Sequence, residues 1–317
     1  MRGDKIRRRR FLALAACGAG AAPSTFAEDG NPRWDFLQTN LQVFPGTEKL
    51  FEPDPILFWK LRANLRRVKA EERLPQSSHK FRVSTDRAGR RVTKSVDGAN
   101  RTVLFLGDSC TFGIPVNDDE AFPEQVQSSL DGVRCVNAGV PGYSAFQGRI
   151  QLEQVLKVDK PDVAVVTFWP NGRTVWDHLS DAEHLELLEA ERNDEFSRHR
   201  LSRLLRRAMP GERQRLNDEE FEAEIRRMIE LCRQAGTTPI LQVWPAQAQM
   251  TKELAVGRQS ILRRVGRETE VRVVDQVEPF RRAGGEKLFV DPVHATAEGY
   301  RVAADGLTPS IVEALGA

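Results

Sequence analysis

Cysteine is scarce in this 317-residue chain: there are four, at positions 17, 110, 135 and 232, with no Cys-x-x-Cys pair. Four widely spaced thiols make neither a disulfide framework nor a zinc knuckle, and His-Glu-x-x-His is absent too, so no metal is expected. Cys135 falls in an apolar run and Cys232 on an apolar helical face, where buried thiols are the default. Tyrosine is rarer still, with two residues, and histidine has only five. Long apolar runs are missing as well, since nothing approaches the ~20 residues that span a bilayer. Nor is there a lasting excess of charge. Six of the 47 Lys and Arg, but one of the 45 Asp and Glu, lie within residues 1–27. The remainder is slightly acidic, which excludes a nucleic-acid footprint.

What is present begins with a targeting signal. Residues 1–27 join a basic start to a modestly apolar stretch and small residues before Ala27. Arg8-Arg9-Arg10-Phe11-Leu12 resembles a twin-arginine export signal, and an exported protein is expected. Leu14-Ala-Ala-Cys17 is a rival, a lipoprotein box that would anchor the chain through Cys17.

From about residue 99 onward, short β-rich runs alternate with amphipathic helices. The strand candidates are 102–106, 133–136, 163–168, 239–244 and 271–274. They are continuous apolar runs, as strands covered on both faces should be. Helices are expected over 218–235, stopped by Gly236, and over 296–315, capped by Thr296 with Glu298 in the first turn. The alternation predicts a doubly wound α/β domain with a parallel sheet of about five strands. Residues 28–98, with Trp34, Phe36, Phe58 and Trp59 ahead of a basic stretch from Lys60 to Lys69, read as an extension packed on that domain. Residues 176–217, acidic then arginine-rich, read as a charged helical insertion and a wall of the site.

Ligands of open parallel sheets bind beyond the carboxyl ends of the strands. Ser109, in Gly107-Asp108-Ser109, follows the first run; "NAGVPGYS" (137–144) follows the second; Asn171 follows the third; Asp291 and His294 follow the last. A hydrolytic serine needs a base, an acceptor to orient that base, and donors for an oxyanion. Ser109 is the candidate nucleophile and His294 the candidate base, because His79, His178, His184 and His199 lie outside any strand-end motif. Asp291, three residues before His294, can take its Nδ1–H. Gly139 and Asn171 can add donors to the Ser109 N–H. A glycine-aspartate-serine turn alone abounds in helix caps; the ordered Asp-x-x-His far downstream is what promotes Ser109.

These blocks resemble the SGNH (GDSL) hydrolase superfamily, named for Ser, Gly, Asn and His in four separated motifs. The resemblance covers roughly residues 100 to 317, and "FEPDPILFWKL" with "FRVSTDRAGRR" resembles the amino-terminal part of some bacterial members. It implies a three-layer α/β/α, flavodoxin-like fold with Ser109, His294 and Asp291 as catalytic triad. It also implies an oxyanion hole of Ser109, Gly139 and Asn171, and no cofactor. The expected activity is hydrolysis of a small or carbohydrate ester, most simply deacetylation. Acyl transfer to a sugar hydroxyl, or a non-catalytic polysaccharide-binding module, are the alternatives. One block departs: the family's Gly-x-Asn-Asp is Trp169-Pro170-Asn171-Gly172 here. Loss of the aspartate removes a brace on the Asn171 loop or makes room for an unusual acyl group. Cys110, where Leu or Phe is common, reads as a packing change and not as a nucleophile.

Overall fold

The computed structural model describes residues 46–74, 77–173, 179–192 and 214–316. The expected export signal with Cys17, the expected anchors Trp34 and Phe36, and the arginine-rich half of the insertion lie outside them.

Two antiparallel hairpins come first: β1 (Phe51–Asp54) with β2 (Phe58–Leu61), and β3 (Val68–Leu74) with β4 (Ser77–Val83). Then follow β5 (Arg101–Gly107), α1 (Ser109–Phe112), α2 (Phe122–Ser129), β6 (Val133–Asn137), α3 (Ala145–Val158) and β7 (Val163–Thr167). After α4 (Asp181–Arg192) come α5 (Asp218–Gln234), β8 (Thr238–Val243), α6 (Gly257–Glu268), β9 (Arg272–Asp275), α7 (Val277–Ala283) and α8 (Ala297–Leu315). Strands β5 to β9 form one parallel sheet in the order β6-β5-β7-β8-β9. The order reverses beside β5, and a switch in strand order opens a crevice at the carboxyl rim.

The strand residues divide between two apolar clusters by alternation. Leu104, Leu106, Ala164, Val166, Leu241 and Val243 face one cluster, with α3, α5 and α6. Val103, Phe105, Val163, Val165 and Ile240 face the other, with α2, α7 and α8. Both faces are covered, giving the expected three layers. The five expected runs differ from the observed strands by no more than one residue at either end. Helix α5 starts where Asn217 accepts the Glu220 N–H (2.8 Å) and three acids occupy its first turn, and it buries Phe221, Ile225, Met228, Ile229 and Cys232. Thr296 caps α8 by accepting the Gly299 N–H at 3.2 Å. Among the described residues, no helix is long and apolar enough to cross a membrane.

The hairpins send Phe51, Phe58, Trp59, Leu61, Phe81 and Val83 into the α3 side of the core. Polar contacts fix the seating. The Trp59 indole N–H donates to Pro141 O (3.0 Å), the Tyr143 hydroxyl to Trp59 O (2.7 Å), and Gln147 Nε2 to Leu57 O (2.7 Å). Arg91, 2% exposed, crosses from the extension to the segment after α1. It donates to Phe112 O (2.7 Å), Gly113 O (2.8 Å) and Val116 O (2.6 Å), pairs with Asp118 (3.1 Å), and lies over the Phe112 ring.

Candidate active site

Strand β5 runs into a tight turn whose Asp108 caps α1 by accepting the Cys110 N–H at 2.9 Å. Burial pushes the Asp108 carboxyl up to about 6, against the lowering effect of that bond and of His294. Ser109 is the first residue of α1, so its N–H has no intrahelical partner. The hydroxyl is nearly enclosed and meets His294 Nε2 at 2.7 Å.

His294 arrives from the opposite side of the rim, 185 residues later. Its turn is held by Val290 N donating to His294 O (2.9 Å), Gln247 N to Pro292 O (2.9 Å) and the Trp244 indole to Val293 O (2.8 Å). Asp291 Oδ2 lies 2.6 Å from His294 Nδ1, while Oδ1 accepts the N–H groups of Val293 (2.8 Å) and His294 (2.7 Å). With Asp291 accepting at Nδ1, the neutral ring carries its proton there and leaves Nε2 to accept from Ser109. Burial pulls the imidazole down, but the Asp291 bond and the charges of Asp291, Glu72 and Asp108 outweigh it and hold it above its ordinary value. Burial likewise raises Asp291, and its bonds to His294 reverse that and leave it below the usual range.

In the 137–144 loop the expected donor is displaced. The Gly139 N–H is given to Asn137 Oδ1 at 3.0 Å, and a side chain at 139 would strike the Phe112 backbone. Gly139 therefore packs beneath α1 and does not offer its N–H to the cleft, which corrects the sequence expectation. The N–H left without an acceptor in this loop is that of Gly142. Tyr143 N donates to Val140 O (3.2 Å) and Gly142 has φ +81°, so residues 140–143 form a type II-like turn with Pro141 and Gly142 at its centre. In a trans peptide the carbonyl and N–H point opposite ways. The Trp59 indole holds Pro141 O on the extension side, so the Gly142 N–H points away from the extension, and no described residue accepts it. The Pro-Gly pair was the available sequence signal.

Asn171 opens a single turn after β7, and its Nδ2 donates to Tyr143 O at 3.1 Å, which leaves that nitrogen a second N–H beside Gly142. The missing aspartate has a substitute. Arg258, buried on α6, donates to Trp169 O (3.2 Å) and Leu216 O and pairs with Asp218 (3.2 Å). Leu216 N in turn donates to Gly172 O at 2.9 Å, so the loop is braced from both ends. Burial drives the Cys110 thiol well above its ordinary value, as befits a packing residue.

Glu72, Asp291 and His294 bring donor atoms within 4.8 Å of one another. Both His294 nitrogens are engaged by Asp291 and Ser109, so the trio offers a metal carboxylates but no free imidazole nitrogen.

Residues 105–302 match the family model of the GDSL-like lipase/acylhydrolases. The chain belongs to that family, and it is an ester-bond hydrolase. Among solved structures it is similar to a member of the lipolytic G-D-S-L family from Veillonella parvula, at 15% identity over 66% of this chain and 97% of that one, with a TM-score of 0.46. A lipase/acylhydrolase from Enterococcus faecalis matches at 19% identity, 67% and 95% coverage and TM-score 0.46. The acetyl xylan esterase AlAXEase matches at 18%, 66% and 99%, with 0.47. No curated protein matches the chain significantly in sequence.

Proposed function

We propose that this GDSL-family hydrolase cleaves a small or carbohydrate ester, most simply an acetate, through an acyl-enzyme on Ser109. The unbroken chain from Ser109 Oγ to His294 Nε2 (2.7 Å) and from Nδ1 to Asp291 (2.6 Å) carries this reading. His294 accepts the hydroxyl proton as Oγ attacks the carbonyl carbon, and Asp291 orients the resulting imidazolium. The developing oxyanion meets the Ser109 and Gly142 N–H groups and the second N–H of Asn171. Donors already fixed in place need no reorganisation when the charge appears. His294 then protonates the leaving alcohol, and water entering on the same side hydrolyses the acyl-enzyme with His294 again as base.

The test is purified protein assayed on p-nitrophenyl acetate and on acetylated sugars, with and without a sugar acceptor, beside Ser109→Ala and His294→Ala. Turnover that both substitutions abolish supports the proposal; turnover surviving both overturns it. Acyl transfer to the sugar instead of water would move the chemistry from hydrolysis to transfer. Export remains part of the proposal through Arg8-Arg9-Arg10. Cell fractionation of the native chain against an Arg8→Lys, Arg9→Lys variant tests it, and unchanged export refutes the twin-arginine route.

A further inference from the structure

Strand β3 carries no recognised motif, yet it delivers a carboxylate to the triad. Glu72 lies on β3 opposite His79 of β4. Its neighbours Glu71 and Arg73 pair with each other on the outer face (3.1 Å), and strand alternation turns Glu72 the other way. A Glu72 carboxylate oxygen comes within 4.8 Å of a ring nitrogen of His294 and a carboxylate oxygen of Asp291. Its Oε2 is shut off from solvent and has no hydrogen-bond partner.

A carboxylate oxygen shut off from water without a hydrogen bond is costly unless a positive charge stands nearby. The groups facing His294 are Asp291 of its own turn, Asp108 and Ser109 at the start of α1, and Glu72 of β3. All the titratable ones are acids. His79, across the hairpin from Glu72, has its Nε2 with Ser77 Oγ, and the charges acting on Glu72 are those of His294 and Asp291. The positive charge that can match Glu72 is therefore the His294 imidazolium, which the reaction creates when Ser109 gives up its proton. An attraction that grows as the transition state forms raises kcat, whereas one already present in the ground state does not.

We propose that Glu72 is a positioning residue from the amino-terminal extension, a second counter-charge that acts through His294 and strengthens with its protonation. The catalytic part of this proposal rests on the ester-hydrolase reading above. The sign follows from charge. An ionised Glu72 favours imidazolium and raises the His294 midpoint, so Glu72→Gln lowers it. Burial raises Glu72's own pKa, opposed by the nearby His294, and once Glu72 is protonated the support disappears.

The test follows the His294 ring nitrogens by NMR across pH in the full chain, beside kcat and KM for p-nitrophenyl acetate. Glu72→Gln is expected to lower the His294 midpoint by about half a unit to one unit and kcat by about three- to tenfold, with KM held within about twofold. Glu72→Asp should recover part of both losses, and Glu71→Gln should change neither. A His294 midpoint that Glu72→Gln leaves in place, or that Glu71→Gln moves equally, overturns the proposal. If Glu72→Gln fails to fold, Glu72→Asp decides by the same midpoint, which should fall by a smaller amount. The midpoint is read without turnover. A shifted midpoint in a protein that hydrolyses no ester would sink the hydrolase reading while leaving the coupling established.

Discussion

The α/β core and the amino-terminal extension serve one site in different ways. On the proposed mechanism the core supplies the reacting groups and oxyanion donors: Ser109, Gly142 and Asn171 follow β5, β6 and β7, and His294 stands in the turn ahead of α8. The extension supplies none of these, but it touches three of the elements that carry them. Arg91 fixes the chain leaving α1, Trp59 sets the peptide that carries the Gly142 N–H, and Glu72 faces His294. The difference separates what performs the chemistry from what aims and tunes it. A strand-end motif places an atom to within a residue, and the last fraction of an ångström comes from elsewhere.

That division breaks most visibly at Ser109. Ser109→Ala is expected to lower kcat/KM by about 10⁴-fold or more while thermal unfolding stays close to wild type. Equal losses of activity and stability would mean that the serine is mainly structural. Arg91→Met probes the opposite case. It removes the guanidinium from Phe112 O, Gly113 O, Val116 O and Asp118, and should cost about 3–5 kcal/mol in denaturant unfolding. Stability near wild type would show the extension to be a loose cover.

Trp59→Phe keeps an aromatic ring but removes the donor to Pro141 O. About a three- to tenfold fall in kcat with KM little changed is expected, because the Gly142 peptide loses its anchor. A change confined to KM would assign Trp59 to substrate binding instead. The smallest effect is the position of the acid limb. His294 must be neutral to accept the Ser109 proton, and its pKa is raised, so kcat/KM should fall with decreasing pH through a midpoint above the ordinary 6.5. A midpoint below 6.5 would mean that burial outweighs the surrounding acids.

The sequence revealed the core more fully than the extension for a physical reason. Strands covered on both faces are continuous apolar runs, and TVLFL and VAVVTF have few other ways to be buried. That Ser109, Asp291 and His294 come together was legible because the proposed roles depend on residue type and order. Gly139 and Gly142 were not separable on those grounds, since both are glycines of one loop. The Asn137 side chain and the Pro141–Gly142 peptide decide which N–H faces out. Arg258, the brace that replaces an aspartate, comes from a helix far down the chain, and nothing in Trp-Pro-Asn-Gly announces it. Strand β3, "VKAEERL", buries only Ala70, so its charged residues read as a solvated stretch although Glu72 reaches the triad.

On the proposed mechanism Ser109 becomes a covalent nucleophile when His294 takes its proton. Intact-protein mass spectrometry after incubation with an alkyl fluorophosphonate, followed by peptide mapping, tests it directly. One adduct per chain on Ser109, abolished by Ser109→Ala and greatly slowed by His294→Ala, is the expected result. Esterase turnover without any adduct, or an adduct on another residue, would contradict it.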